Sequence, residues 1–194
     1  MPVIDSFKKR YWEKFGSPLP VFVPEASIQA IQPIEQNFHF EGFYAPTILF
    51  QDPCTIQERS KSLGNPEVFQ VLSYAEPFSQ TCHWDGEIII AEDGQLNALR
   101  LITKNILAIN MLTHSTVDWH TQYIIVPLST PITVSKGDHI SIRFSYQGGA
   151  PLNALSDSLE VRLVSKRVPV LELALEALNY PSKFRSNTSH MHHH

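Results

Sequence analysis

The chain has 194 residues, 43% of them hydrophobic, and 15 Lys and Arg against 19 Asp and Glu give a formal net charge of −4. That length suits one sizeable core with a helical appendage and is short for two full domains, while the scattered basic residues argue against a nucleic-acid partner. No apolar run approaches the ~20 residues of a membrane helix, and the polar start MPVIDSFKKRYWEKFG is unlike a signal peptide, so a cytoplasmic location is expected.

Residues 5–15 place Phe7, Tyr11, Trp12 and Phe15 on one helical face, with Gly16 as the stop. Residues 17–24 carry three prolines and form a stiff, extended connector. Beyond it the period changes to two. Residues 26–34 read as a first strand, and residues 37–50 are rich in Phe and Tyr but broken by Gly42 and Pro46. The polar stretch 55–63, TIQERSKSL, reads as a helical excursion ending at Gly64-Asn65-Pro66. Strand candidates follow at 68–74, 79–84, 87–91, 98–107, 120–127 and 139–146, separated by turn signals such as Asp85-Gly86, Asp93-Gly94 and Lys136-Gly137-Asp138. Residues 158–164, SLEVRLV, alternate Leu159, Val161 and Leu163 against charges, as in a strand with one wet face. Residues 170–178 place Leu171, Leu175 and Leu178 at helical spacing and predict a closing helix. The expected fold is therefore mainly β, an antiparallel β-barrel or sandwich with an N-terminal helix and a short C-terminal helix.

The two cysteines, Cys54 and Cys82, lack CxxC spacing and read as free thiols of a reducing compartment. The terminal SHMHHH resembles an affinity-tag remnant and is set aside from metal arguments. The other histidines are His39, His83, His114, His120 and His139, and none forms a zinc-like pattern. His39 and Glu41 come nearest, since a period of two puts both on one strand face, although an ordinary strand face explains them as well. Alternation also puts Asp118 and His120 on one face and Trp119 on the other, an Asp–His pair able to orient an imidazole as a base. No Ser or Cys stands in a Gly-flanked elbow to receive that activation, and a Trp flanked by two polar residues at a strand start is the plainer reading. Gly148-Gly149 reads as a loop and not a phosphate-binding turn, because no helix pattern follows at once. No GxGxxG or Walker sequence occurs, so no nucleotide cofactor is expected on this chain.

The run VDWHTQYIIVPLSTPITVSKGDHISIRFSY, residues 117–146, resembles the C-terminal β-barrel domain of the protein arginine methyltransferases. In that family a Trp opens a strand, and a Leu-Pro-type turn, a hydrophobic pair and a Lys-Gly-acid turn follow. Trp119, Pro131, Val134, Lys136, Gly137, Asp138 and Ile140 fall on that pattern. VPEASIQAIQPIE, residues 23–35, is similar to the family's entry into the barrel, and LNALSDSLEVRL, residues 152–163, to the hairpin that finishes it. The departures are as informative. Only ~22 residues precede the barrel entry, where a mononucleotide-binding half needs several βα units. The family's Thr-His-Trp loop reads Val117-Asp118-Trp119 here, without the His. The arm with which the family contacts a second subunit would correspond to residues 55–63.

Periodicity and composition give residues 1–22 as helix and connector, 166–189 as C-terminal helix and tail, and 190–194 as tag remnant, and the resemblance implies 23–165 as the β-barrel domain. It implies a domain that is not catalytic alone and serves substrate binding, dimerisation or both. Trp119, His83 and Glu41 are then the expected substrate contacts. S-adenosylmethionine would be bound only if a separate domain were present, and the expected partner is a second copy or a methyltransferase domain. The contrasting expectation is a free-standing isomerase or cyclase using Asp118 and His120 in a barrel mouth.

Overall fold

The computed structural model describes residues 2–52, 59–77, 79–119 and 123–164, mainly as antiparallel strands. In chain order these are helix α1 (Pro2–Phe15), strands β1 (Ala26–Gln36), β2 (His39–Phe40), β3 (Phe43–Tyr44), β4 (Leu49–Gln51), β5 (Ser60–Ser62), β6 (Glu67–Ser73), β7 (Thr81–Ile89), β8 (Gly94–Asn110), β9 (Ser115–Trp119), β10 (Tyr123–Val134) and β11 (His139–Gln147), helix α2 (Leu152–Ser158) and strand β12 (Glu160–Val164). The larger sheet runs β4-β10-β8-β1-β5, with β6 also on β1 and β9 also on β8; the smaller runs β12-β11-β7. Among the described residues the sheets are arranged as a sandwich, and no closed barrel is found.

Proline positions account for the partner changes within the larger sheet. β1 pairs with β6 as far as Ile31↔Glu67 and with β5 from Ile34↔Ser62. Pro33 has no N–H to give and stands in that gap, where its carbonyl accepts from the Leu63 amide at 3.0 Å. In β10 the pairing with β8 is interrupted between Pro127 and Ile132, the interval that also holds Pro131.

The core follows from strand alternation. Residues 98 and 99 of β8 point to opposite faces of the sheet. Leu99 joins Ile31 and Val126 with Ile88, Ile140, Ile142 and Phe144 of the smaller sheet in the main cluster. Ala98 joins Ile34, Ile125 and Phe38 in a second cluster, with Phe40, Leu49 and Tyr123 packed against it. The larger sheet is therefore apolar on both faces. The smaller sheet is wet on its outer face: Arg143 pairs with Asp85 at 2.7 Å, His139 lies 3.6 Å from Glu87, and Arg162 lies 3.0 Å from Glu160. Val161 and Leu163 sit opposite Ile142 and Ile140, which is the alternation expected of that strand.

Several local expectations are corrected. The helical excursion is, over its described part, strand β5: the free edge of β1 takes up its backbone groups, and Leu63 beside it is fully buried. Asp85-Gly86 is not a turn but the middle of the continuous strand β7, where Gly86 lies under the Trp84 indole; an added Cβ would collide with Trp84 Cζ2. The segment 152–163 is a helix followed by a strand and not a hairpin, so a helix does follow Gly148-Gly149, without a side-chain cap and anchored by buried Leu155. Trp119 ends β9 and does not open a strand, and the described part of the next strand begins at Tyr123. β8 runs on to Asn110, past the core, and with β9 makes a projecting hairpin. α1 forms as expected, and Gly16 at φ 72° returns its amide to the Trp12 carbonyl. The helix expected over residues 170–178, His120 and Cys54 lie outside the described residues. Among those described, no helix is long and apolar enough to cross a membrane.

Candidate functional site

Aromatic side chains of β6 in the larger sheet and of β7 and β11 in the smaller one pack against each other between the sheets. Phe69 and Phe144 are T-shaped at 5.2 Å between ring centroids, and Trp84 tilts against Phe144 at 5.9 Å. Beside them lies a cavity of about 380 Å³, floored by Leu101 and Thr103 of β8 and Ile124 of β10 and covered by Phe69, Phe144, Tyr146 and Leu155. Gly148 and Gly149 line it as well, with Gly149 at φ 90°, a conformation that side chains other than glycine rarely adopt. The Tyr146 hydroxyl donates to the Ala150 carbonyl at 2.5 Å and so fixes this loop. Gln29, Gln70, Ser79, Gln80 and Cys82 add the remaining polar side chains. Burial raises the Cys82 pKa, which keeps the thiol protonated and poorly nucleophilic. An apolar recess with a few amide and hydroxyl groups and no charged side chain suits binding by shape and dispersion, with polar atoms fixing orientation.

The residues singled out from sequence lie elsewhere. His83 is exposed on the outer face of β7, opposite Ser145, on the far side of the smaller sheet from the cavity. Glu41 does not share a strand face with His39: it sits at φ 49° in the turn between β2 and β3, because a two-residue connection there requires positive φ, which Gly42 at φ 89° supplies as well. His39 instead packs on Tyr44 at 5.0 Å. Asp118 is on the projecting hairpin, 3.4 Å from Lys104 and opposite Ile106. Trp119 is 60% exposed opposite Asn105. Among the described residues, no group of three or more His, Cys, Asp or Glu could hold a metal ion.

A second polar feature occupies the opposite face of the larger sheet. Arg100 sits between Gln32 of β1 and Ile125 of β10 and is only 5% exposed. Its Nη1 donates to Gln32 Oε1 at 3.1 Å, Gln32 Nε2 donates to the Gly64 carbonyl at 3.0 Å, and the guanidinium lies 5.3 Å from the Tyr123 ring centroid. Among the described residues, its Nε and Nη2 are buried without a hydrogen-bond partner, and so is Gln51 Oε1 opposite Tyr123. Desolvating a guanidinium costs several kcal/mol, and one bond to a neutral amide with the Tyr123 ring contact leaves two of its donors uncompensated. Burial pulls its pKa down and the Tyr123 hydroxyl opposes that shift; an arginine stays protonated all the same. Sequence reading passed over Arg100, although a charge between Leu99 and Leu101 in an apolar strand was the available signal.

No protein-family model matches the chain, and no curated protein matches it. Among solved structures, the chain is similar to one from a Trypanosoma brucei PRMT1 enzyme-prozyme heterotetrameric complex with AdoHcy, at a TM-score of 0.49 and 10% identity, over 74% of this chain and 54% of that one. It thus spans about half the length of that chain.

Proposed function

We propose that the chain is a non-catalytic binding domain of methyltransferase type, whose inter-sheet cavity takes an apolar part of a substrate while a separate domain carries out the chemistry. The observation that carries this reading is the cavity: it is lined by Phe69, Leu101, Phe144 and Leu155 and, among the described residues, by no carboxylate, imidazole, ammonium or guanidinium group. The sequence resemblance over residues 117–146 supports the methyltransferase type. S-adenosylmethionine belongs, on this reading, to the other domain. Subunit contact is the second role, favoured by the projecting hairpin, where Ile109, Met111, Leu112, Val117 and Trp119 are all exposed.

Fluorescence titration with N-phenyl-1-naphthylamine, an uncharged aromatic probe, tests the binding role. One saturable site is expected, and Thr103→Phe, which pushes a ring into the recess, should weaken binding at least about tenfold, a loss of roughly 1.4 kcal/mol. The binding role fails if the probe does not saturate, or if a folded Thr103→Phe protein binds it as tightly as the parent.

A further inference from the structure

We propose that Arg100 anchors a second, separate binding site, for a carboxylate, on the face of the larger sheet turned away from the inter-sheet cavity. The free side of the guanidinium is its Nε and Nη2 edge. Those two donors run nearly parallel and match the two oxygens of a carboxylate, which makes the edge a bidentate acceptor's natural partner. Every other contact of the group is already in place. Gln32, itself fixed by the Gly64 carbonyl, holds Nη1, and Tyr123 lies against the plane, so the edge is presented in one orientation.

The surroundings favour entry of an anion. Across Tyr123, Gln51 Oε1 is a second buried atom without a partner, while its Nε2 lies 3.4 Å from Ser60 Oγ. Ser60 lines a groove of about 620 Å³ that also carries Arg59, Lys61 and His39, with Glu35 its one acidic side chain. The groove thus sets two cationic side chains against one acidic one, and its Ser60 meets Gln51, the residue opposite Tyr123; Arg100 itself does not line it. Arg100 and the cavity-lining Leu101 point to opposite faces of β8, so a variant at one site leaves the other in place.

The test is a titration of the full chain with sodium acetate, with sodium phosphate as a second arm and sodium chloride at matched ionic strength as the control. The readouts are the Arg Nε–H resonances in a nitrogen–proton correlation spectrum and the melting temperature. Arg100→Met and Arg100→Lys identify the resonance. Acetate should shift the Arg100 signal saturably and raise Tm by roughly 5–10 °C at about 100 times its dissociation constant, while Arg100→Met should show no rise beyond chloride. A response to phosphate alone would overturn the carboxylate assignment. No saturable shift with either oxyanion, or an acetate response that survives in Arg100→Met, would overturn the site. Should Arg100→Met not fold, Arg100→Lys serves for assignment, and the parent titration still decides.

Discussion

Cys82 shows how one buried atom is governed by its surroundings. Its thiol lies in the cavity lining on the inner face of β7, and burial raises its pKa because a thiolate there would lose its hydration. A raised pKa means that the folded state holds its proton to higher pH than the unfolded chain does. The thiol's contribution is therefore fully present below the ordinary cysteine value and is lost as pH rises through the folded pKa. Alkylation by iodoacetamide at pH 8.5, followed by peptide mapping, should modify Cys82 at least about tenfold more slowly in the folded chain than in urea. Equal rates would mean an open, solvated thiol. Glycine at position 86 answers a different need: the Trp84 indole occupies the space a side chain would take, which is why the dipeptide Asp85-Gly86 looks like a turn and is a strand. Arg100 is the converse case, a charged residue that an apolar strand buries with two nitrogens unbonded.

Secondary structure elements differ in how much of the core they carry. β5 is only three residues long, yet it delivers Leu63 into the main cluster at 0% exposure. The far end of β8 and all of β9 are exposed, and Leu112 at their turn is 93% exposed. Leu63→Ala should therefore cost about 2–5 kcal/mol, the range for a fully buried leucine in a packed core. Leu112→Ala should stay within about 0.5 kcal/mol, as surface substitutions do. Urea denaturation measures both, and a comparable loss at the two positions would contradict the fold. α1 belongs with the lightly attached elements: Lys8 Nζ donates to the Glu76 carbonyl at 2.7 Å and Phe7 meets Phe22 edge to face, while Trp12 and Phe15 remain exposed.

Assembly is a property of the molecule as a body. An exposed hairpin carrying Met111, Leu112, Val117 and Trp119, with β9 paired on one side only among the described residues, is a surface that aggregates unless it is covered. A second copy is the occupant expected of it, since closed twofold assemblies are the commonest among soluble oligomers. Sedimentation velocity should give a dimer for the parent chain and a monomer for the double variant Leu112→Asp, Trp119→Ser. A parent that sediments as a monomer at about 100 times the concentration used for binding measurements would remove the hairpin from consideration. The resemblance puts the family's subunit-contact arm at residues 55–63, and the described part of that stretch holds strand β5, paired with β1.

What the residues alone determined is the class of fold and most of its strands. Alternation at residues 26–34, 68–74, 139–146 and 158–164 is a local property of the chain, and so are the aromatic stripe of α1 and its glycine stop. The site was less legible. Asp118, Trp119, His83 and Glu41 drew attention because their residue types carry chemistry, yet the register sends them to a hairpin, an outer sheet face and a turn. The cavity and the Arg100 environment are made by residues far apart in sequence, Phe69 with Phe144 and Gln32 with Arg100, whose meeting depends on which strands pair and in what register. Periodicity states which face a side chain takes along its own strand; only the packing of one strand on another decides what it finds there.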